Sequence, residues 1–468
     1  MRMLQAAALF LLAIGVASPV MAGNQASALA VPPSGVIGVD NDAMLTADFW
    51  IRQVTQPDRV LLETAAIASQ NANLFRLDPS MRDLRAVPAT LTRAQVQGWI
   101  KGISELPSRP LYDEKGERVP PALLAQVTDQ LALDRVPAEQ GARYGMVLRR
   151  AALRSFPTDL RVFTSADDSD IDRFQETAEF PGTPVVIVQE SRDGQWLFVL
   201  SPRYSAWTRK ENIAEGAADQ VFAYAGKRPQ RVVTGSTVAT VYTREQPAVS
   251  QLELDMGVAL PLLTDHPADQ PVNGESPYTS HVVELPMRTA SGRLGFLPAL
   301  LRRNADTAGD YLPLTEANIL RQAFKFLGER YGWGHSYNGR DCSGFVSDVY
   351  RSMGVEMPRD TSRQAASPAL AHQTFTAKDG RKARMKAIDA LQVGDLIYIP
   401  GHVMMMVGRI NGEPYVIHDT VGIRYHDGSG ALREVKLNAV SVTPLLPLML
   451  DSEHSYVDRM TGIVHIRP

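Results

Sequence analysis

The sequence predicts a multidomain α+β chain, in which a mostly helical N-terminal region and two small β-barrels precede a C-terminal α+β domain. Three observations carry this reading. Residues 46–150 place apolar side chains at helical spacing. Residues 160–302 break into short strands punctuated by Gly, Pro and Asp. From Thr315 onward, helix patterns and then strand patterns run to the C-terminus. The 468 residues suffice for about three or four domains.

The first element is a leader. A basic start, Met1-Arg2, is followed by an apolar stretch from Ala6 to Val16 and then by small residues up to Ala22-Gly23. This pattern is that of a secretory signal peptide, residues 1–22, and the apolar stretch is too short to span a membrane comfortably. No membrane span is expected once it is removed, and the mature chain is expected in the periplasm or cell envelope. Residues 23–150 follow as a leader and helical region; Val96, Trp99 and Ile100 share one helix face.

Residues 151–225 form the first expected barrel, with Pro184–Val188 and Ser191–Leu200 as two strands joined by the Asp193-Gly194 turn and a further strand near Tyr204–Trp207. Residues 226–305 form the second, with candidate strands at 231–234, 237–243, 258–263, 281–286 and 292–297. Residues 306–468 are the last domain. It opens with a helix capped at Thr315-Glu316-Ala317-Asn318, whose buried stripe is Ile319, Ala323, Phe324 and Leu327.

Composition narrows the function. The 48 basic and 51 acidic residues leave a net charge of −3, which offers no basic face to nucleic acid. The single cysteine excludes an intrachain disulfide and a multi-cysteine metal site. Met404-Met405-Met406 does not form a soft-metal site, because consecutive strand residues point to opposite faces. No metal and no cofactor are expected.

The lone cysteine sits in Asp341-Cys342-Ser343-Gly344-Phe345, where Phe345, Val349 and Met353 mark one face of a helix that Gly354 ends. Cys342 therefore lies in the first turn, where free N–H groups and the helix dipole favour a thiolate and can face an oxyanion. A nucleophile of this kind needs a base. His402 stands at the start of an apolar strand after Pro400-Gly401, and His418 lies on the next strand beyond an Asn411-Gly412 turn. Antiparallel pairing brings His418 near His402, where it can orient the first imidazole; Asp419 beside it is the alternative orienter. His335 is the rival base, and His266, His281 and His426 are read as structural or surface residues.

Tyr331-Gly332-Trp333-Gly334, Asp341-Cys342-Ser343-Gly344-Phe345, Pro358-Arg359-Asp360-Thr361-Ser362-Arg363-Gln364, Gly394-Asp395-Leu396 and Gly401-His402-Val403 together resemble, in this order, the NlpC/P60 cysteine peptidases. Asp172-Arg173-Phe174-Gln175, Gly182-Thr183-Pro184-Val185 and Asp193-Gly194-Gln195-Trp196 resemble the first of two bacterial SH3-like barrels that precede such domains. The resemblance implies a papain-like catalytic domain that cleaves peptidoglycan stem peptides or muropeptides between γ-D-glutamate and a diamino acid, commonly diaminopimelate. Carried over by position, Cys342 is the nucleophile, His402 the base and His418 the third polar residue, with Tyr331, Asp341 and Ser343 lining the substrate site. In such enzymes the first barrel closes part of the groove and favours a free N-terminal L-alanine; cell-wall-binding modules or spacers are the alternative reading of the barrels. A carboxylate from Asp172 or Glu176 is the candidate partner for that ammonium. An amidase or acyltransferase on the same Cys-His chemistry, or a wall-binding protein, are the alternatives.

Overall fold

The structure is a computed structural model and describes residues 29–467, so the expected signal peptide lies outside the described residues. The N-terminal region is less helical than the pattern predicts: the α-helices Ala47–Ile51, Thr64–Leu77, Arg93–Lys101 and Pro121–Asp129 are separated by loops and short strands. Thr92 and Gln95 form a reciprocal capping box that starts the helix Arg93–Lys101, and Val96 and Ile100 are its fully buried face.

This region does not form one unit. Its front half packs on the C-terminal domain: Trp50 is fully buried against Tyr415, and the strand Val60–Leu62 pairs with Leu314–Thr315. Its back half, from Leu84 to Val136, shares a core with Phe174, Phe198 and Trp207 of the first barrel segment. The division follows the apolar faces, since each short helix is stabilised only by the sheet it covers.

The first barrel segment is a seven-stranded antiparallel sheet in the order Ile213–Gly216, Arg143–Val147, Pro184–Glu190, Trp196–Leu200, Ser205–Arg209, Ala151–Arg154, Gln175–Glu179. It begins at Arg143, ahead of the expected residue 151, because Met146 and Val147 are buried in register with Pro184 and Ile213. Gly194 turns between two of the strands at φ 71°, as the Asp-Gly pair required. Residues 230–308 hold three small antiparallel sheets around a core of Val233, Leu254, Leu260, Val283, Leu285 and Leu301. Glu253–Asp255 and Thr307–Ala308 are strands that the pattern of hydrophobicity did not mark.

The C-terminal domain is a six-stranded antiparallel sheet in the order Ala371–Thr374, Gly462–His465, Leu396–Ile399, His402–Ile410, Glu413–His426, Leu432–Pro444. The strand His402–Ile410 is buried on both faces. Val403, Met405 and Val407 pack with Phe345 and Val349 of the helix Cys342–Arg351, while Met404 and Met406 pack with Ile388 of the helix Arg381–Asp389. The three methionines therefore divide between two cores, each buried side chain contributing about 1.5–3 kcal/mol.

Candidate active site

Asp341 caps the helix Cys342–Arg351 by accepting from the Gly344 N–H at 2.8 Å, so Cys342 is the first helical residue. The Cys342 N–H has no acceptor among the described residues and remains free to meet an oxyanion. Cys342 is 5 % exposed, and its sulfur lies 3.9 Å from the Gly401 carbonyl oxygen, with the Val403 N–H directed at it. His402 stands between these two contacts.

Its ring Nε2 is 2.8 Å from Nδ1 of His418, whose Nε2 is 3.0 Å from the Thr443 hydroxyl. The hairpin produces this. Asn411 and Gly412 both take positive φ, and Met405 pairs with Ile417, which sets His418 diagonally across from His402. Asp419 is fully buried, both its oxygens lack a partner among the described residues, and burial raises its pKa well above the usual carboxylate range. It is therefore not the group that orients either imidazole.

Burial sets the resting charges. It pushes the Cys342 thiol up to about 12, with the Asp341 carboxylate adding to the rise and the Val403 N–H opposing it. Burial also lowers His402 to about 4 and lowers His418 further below its ordinary value. The thiolate expected from the helix start alone is thus outweighed by desolvation, and the pair rests neutral. His335 is a poor base: it is buried, its Nδ1 faces the Arg359 guanidinium at 3.2 Å, and desolvation and the nearby arginines lower its pKa well.

Tyr331 and His402 line a cleft of about 500 Å³, together with Asp168, Thr420, Arg424 and Lys436. On the other side of Cys342, Asp341 and Ser343 are tied to a residue given no role in the sequence reading, Arg359. Its guanidinium donates to Asp341 Oδ2 at 2.6 Å, to Ser343 Oγ at 2.7 Å and to Thr177 Oγ1 of the first sheet at 2.6 Å. Beside it, the Glu176 carboxylate accepts from the Tyr204 hydroxyl at 2.7 Å, and burial raises both Glu176 and Asp360 above the usual carboxylate range. Asp172, the other candidate carboxylate, is 1 % exposed and bound to Arg154 at 2.8 Å.

Residues 328–437 match the NlpC/P60 family, and residues 161–209 match the SH3 domain of SH3b1 type. The chain carries an NlpC/P60 domain. A γ-D-glutamyl-L-lysine dipeptidyl-peptidase of Bacillus cereus is 28% identical over 258 residues, 50% of this chain and 66% of that protein. Dipeptidyl-peptidase 6 of Lysinibacillus sphaericus is 25% identical over 232 residues, 49% of this chain and 75% of that protein. An NlpC/P60 endopeptidase of Photobacterium damselae subsp. piscicida shares the fold, with a TM-score of 0.71 at 14% identity over 89% of this chain and 96% of that one. The NlpC/P60 match thus contains Cys342, His402 and His418, and the SH3 match contains Glu176, Thr177 and Tyr204 of the polar cluster around Arg359.

Proposed function

We propose that this chain is an exported peptidoglycan hydrolase that cleaves the bond between γ-D-glutamate and a diamino acid, probed best with diaminopimelate. In this reading the NlpC/P60 domain is papain-like, preceded by two SH3-like barrels. The observation that supports it most is the placement of a lone buried cysteine at a helix start against a strand whose histidine is hydrogen-bonded to a second one.

The mechanism follows from the tautomers. For His402 to accept a proton on Nδ1, its Nε2 carries hydrogen and donates to His418 Nδ1. His418 then donates from Nε2 to Thr443. His402 takes the thiol proton as the sulfur attacks the γ-carbonyl carbon, and the Cys342 N–H meets the oxyanion. Collapse of the intermediate expels the diamino acid, whose amine takes the proton from His402. Water, deprotonated by His402, then cleaves the thioester, releases the γ-carboxylate and restores the thiol.

The closed end of the groove fits a short substrate. Glu176 and Asp360 are two part-desolvated carboxylates close to Arg359, and a free L-alanine ammonium between them relieves their mutual repulsion. A peptide still attached to glycan lacks that charge and carries bulk in its place. The cleft beyond His402 takes the diamino acid.

The test is product analysis with L-Ala-γ-D-Glu-diaminopimelate and its N-acetylated form. Wild type is expected to cut the free peptide at least about 10²-fold faster, because blocking the amine leaves buried groups unpaired. Glu176→Gln should narrow that ratio. Cys342→Ala should lose at least about 10³-fold in turnover. Transfer to an added amine in place of water marks an acyltransferase, and wall binding without turnover in wild type marks a binding protein.

A further inference from the structure

The loop between Tyr331 and Cys342 adopts a conformation that its own sequence does not favour. Gly334, His335, Tyr337 and Asn338 take φ of 56°, 64°, 59° and 55°, three of them without the freedom of glycine. Such a run persists only where the surroundings over-determine it.

Part of the surroundings comes from outside the NlpC/P60 domain. Arg150, between two strands of the first sheet, donates to the carbonyls of His335 and Asn338 at 3.2 Å each, and to that of Gly339. Its charge is met at 2.7 Å by Asp255, at the end of the strand Glu253–Asp255 in the second barrel region. The same Asp255 oxygen accepts from Arg340 at 2.7 Å. Arg340 is fully buried and also bound by Asp348 and Glu329, both at 2.7 Å.

The cluster is charge-balanced. Arg150, Arg340 and Arg351 stand against Asp255, Glu329 and Asp348, with Arg351 held by Asp348 at 2.9 Å. Arg340 is two residues from Cys342, and the Gly334 N–H donates at 3.0 Å to the same Asp341 carboxylate that caps the cysteine helix. His335 rests on Gly344, where a Cβ would meet its ring at 2.5 Å. A shift in the loop therefore moves the helix start.

We propose that Asp255 and Arg150 are positioning residues for Cys342, so that the second barrel region is part of the catalytic unit and not a tether. The proposal rests on Cys342 being the nucleophile. Neutralising Asp255 leaves an uncompensated cation in a dry interior and removes the carboxylate that holds Arg150 over the loop, while Arg340 keeps Asp348 and Glu329.

Because the chain has one cysteine, alkylation by iodoacetamide reads Cys342 directly and needs no substrate. In the full chain, Asp255→Asn is expected to slow alkylation and kcat about tenfold each, with KM within about twofold. Arg150→Lys keeps the charge but loses the fork over three carbonyls. It is expected to do the same with the fold intact by circular dichroism, and it serves should Asp255→Asn not fold. Glu284→Gln, which breaks an ion pair with Lys227 elsewhere in that region, is expected to leave alkylation unchanged. Folded variants with unchanged alkylation and kcat, or with a change confined to KM, overturn the proposal. Loss of all turnover on the peptide in wild type, with alkylation still sensitive to Asp255→Asn, instead overturns the assigned substrate.

Discussion

Thr443 is fully buried and its hydroxyl is the last polar partner in the line from His402 through His418. Thr443→Val keeps the shape and removes the acceptor, so His418 loses the bond that fixes its tautomer. We expect kcat to fall about tenfold with KM little changed, whereas His402→Ala, which removes the base itself, should cost far more than His418→Ala. The pH profile tests the charges. With His402 lowered to about 4 and the thiol raised to about 12, the pair stays neutral across the physiological range, so kcat, read on bound substrate, should decline as pH falls through about 4 and His402 takes a proton. An acid limb near 6.5 would falsify the desolvated imidazole. That Cys342 opens a helix and that His402 and His418 face each other across a hairpin is legible in the sequence, because each sits in a short motif with a strong local pattern. Arg359 sits in such a motif too, but its contacts are hidden, since its partners Thr177 and Ser343 lie on segments that meet only in the folded chain. Equally hidden is that Asp172 is taken by Arg154, since nothing local in the sequence says so.

At the level of elements, periodicity located the cysteine helix and the strands around His402 well, and located the N-terminal helices without saying what they cover. Trp50 shows why. Its indole N–H donates to Met44 O at 2.8 Å and its ring packs on Tyr415, and a Cβ at Gly408 would meet that ring at 2.7 Å. Hydrophobic spacing identifies a buried face but not a partner hundreds of residues away. Gly408 reads as a break in an apolar strand until Trp50 is seen to occupy the space. Trp50→Ala is expected to destabilise the NlpC/P60 domain by about 3–5 kcal/mol, measured by denaturant unfolding, with Gly408→Ala next in severity. A loss below about 1 kcal/mol for Trp50→Ala would mean that the N-terminal segment merely rests on the domain. His418 gives a second measure at this scale. Its folded pKa lies well below the unfolded 6.5, so the stability tied to its neutral form is complete above 6.5 and is lost as pH falls below it. The stability advantage of wild type over His418→Asn should therefore shrink between pH 7 and pH 5; an advantage that grows on acidification contradicts a buried neutral ring.

The whole molecule is not a string of independent modules, although composition and strand spacing read that way. The chain lays residues 29–62 on the C-terminal domain, builds the seven-stranded sheet and the three small sheets of residues 230–308, and returns to pair Leu314–Thr315 with Val60–Leu62. Between the units lie Arg359 on Thr177, Trp333 Nε1 on the Gln175 carbonyl at 3.0 Å, and Asp255 between Arg150 and Arg340. Buried charges at such a junction cannot separate without exposing or orphaning one partner, so partial unfolding of one unit destabilises the next. The expected result is a single cooperative transition, unlike the usual multidomain case. Two probes read it separately: pulsed hydrogen exchange of the strand Trp196–Leu200 follows the SH3 domain, and alkylation of Cys342 follows the NlpC/P60 domain. In urea their midpoints should coincide, and Asp255→Asn should draw them apart as well as lower them. Midpoints already separated in wild type would show that the junction holds the units in place without coupling their stability, and that cysteine geometry alone depends on it.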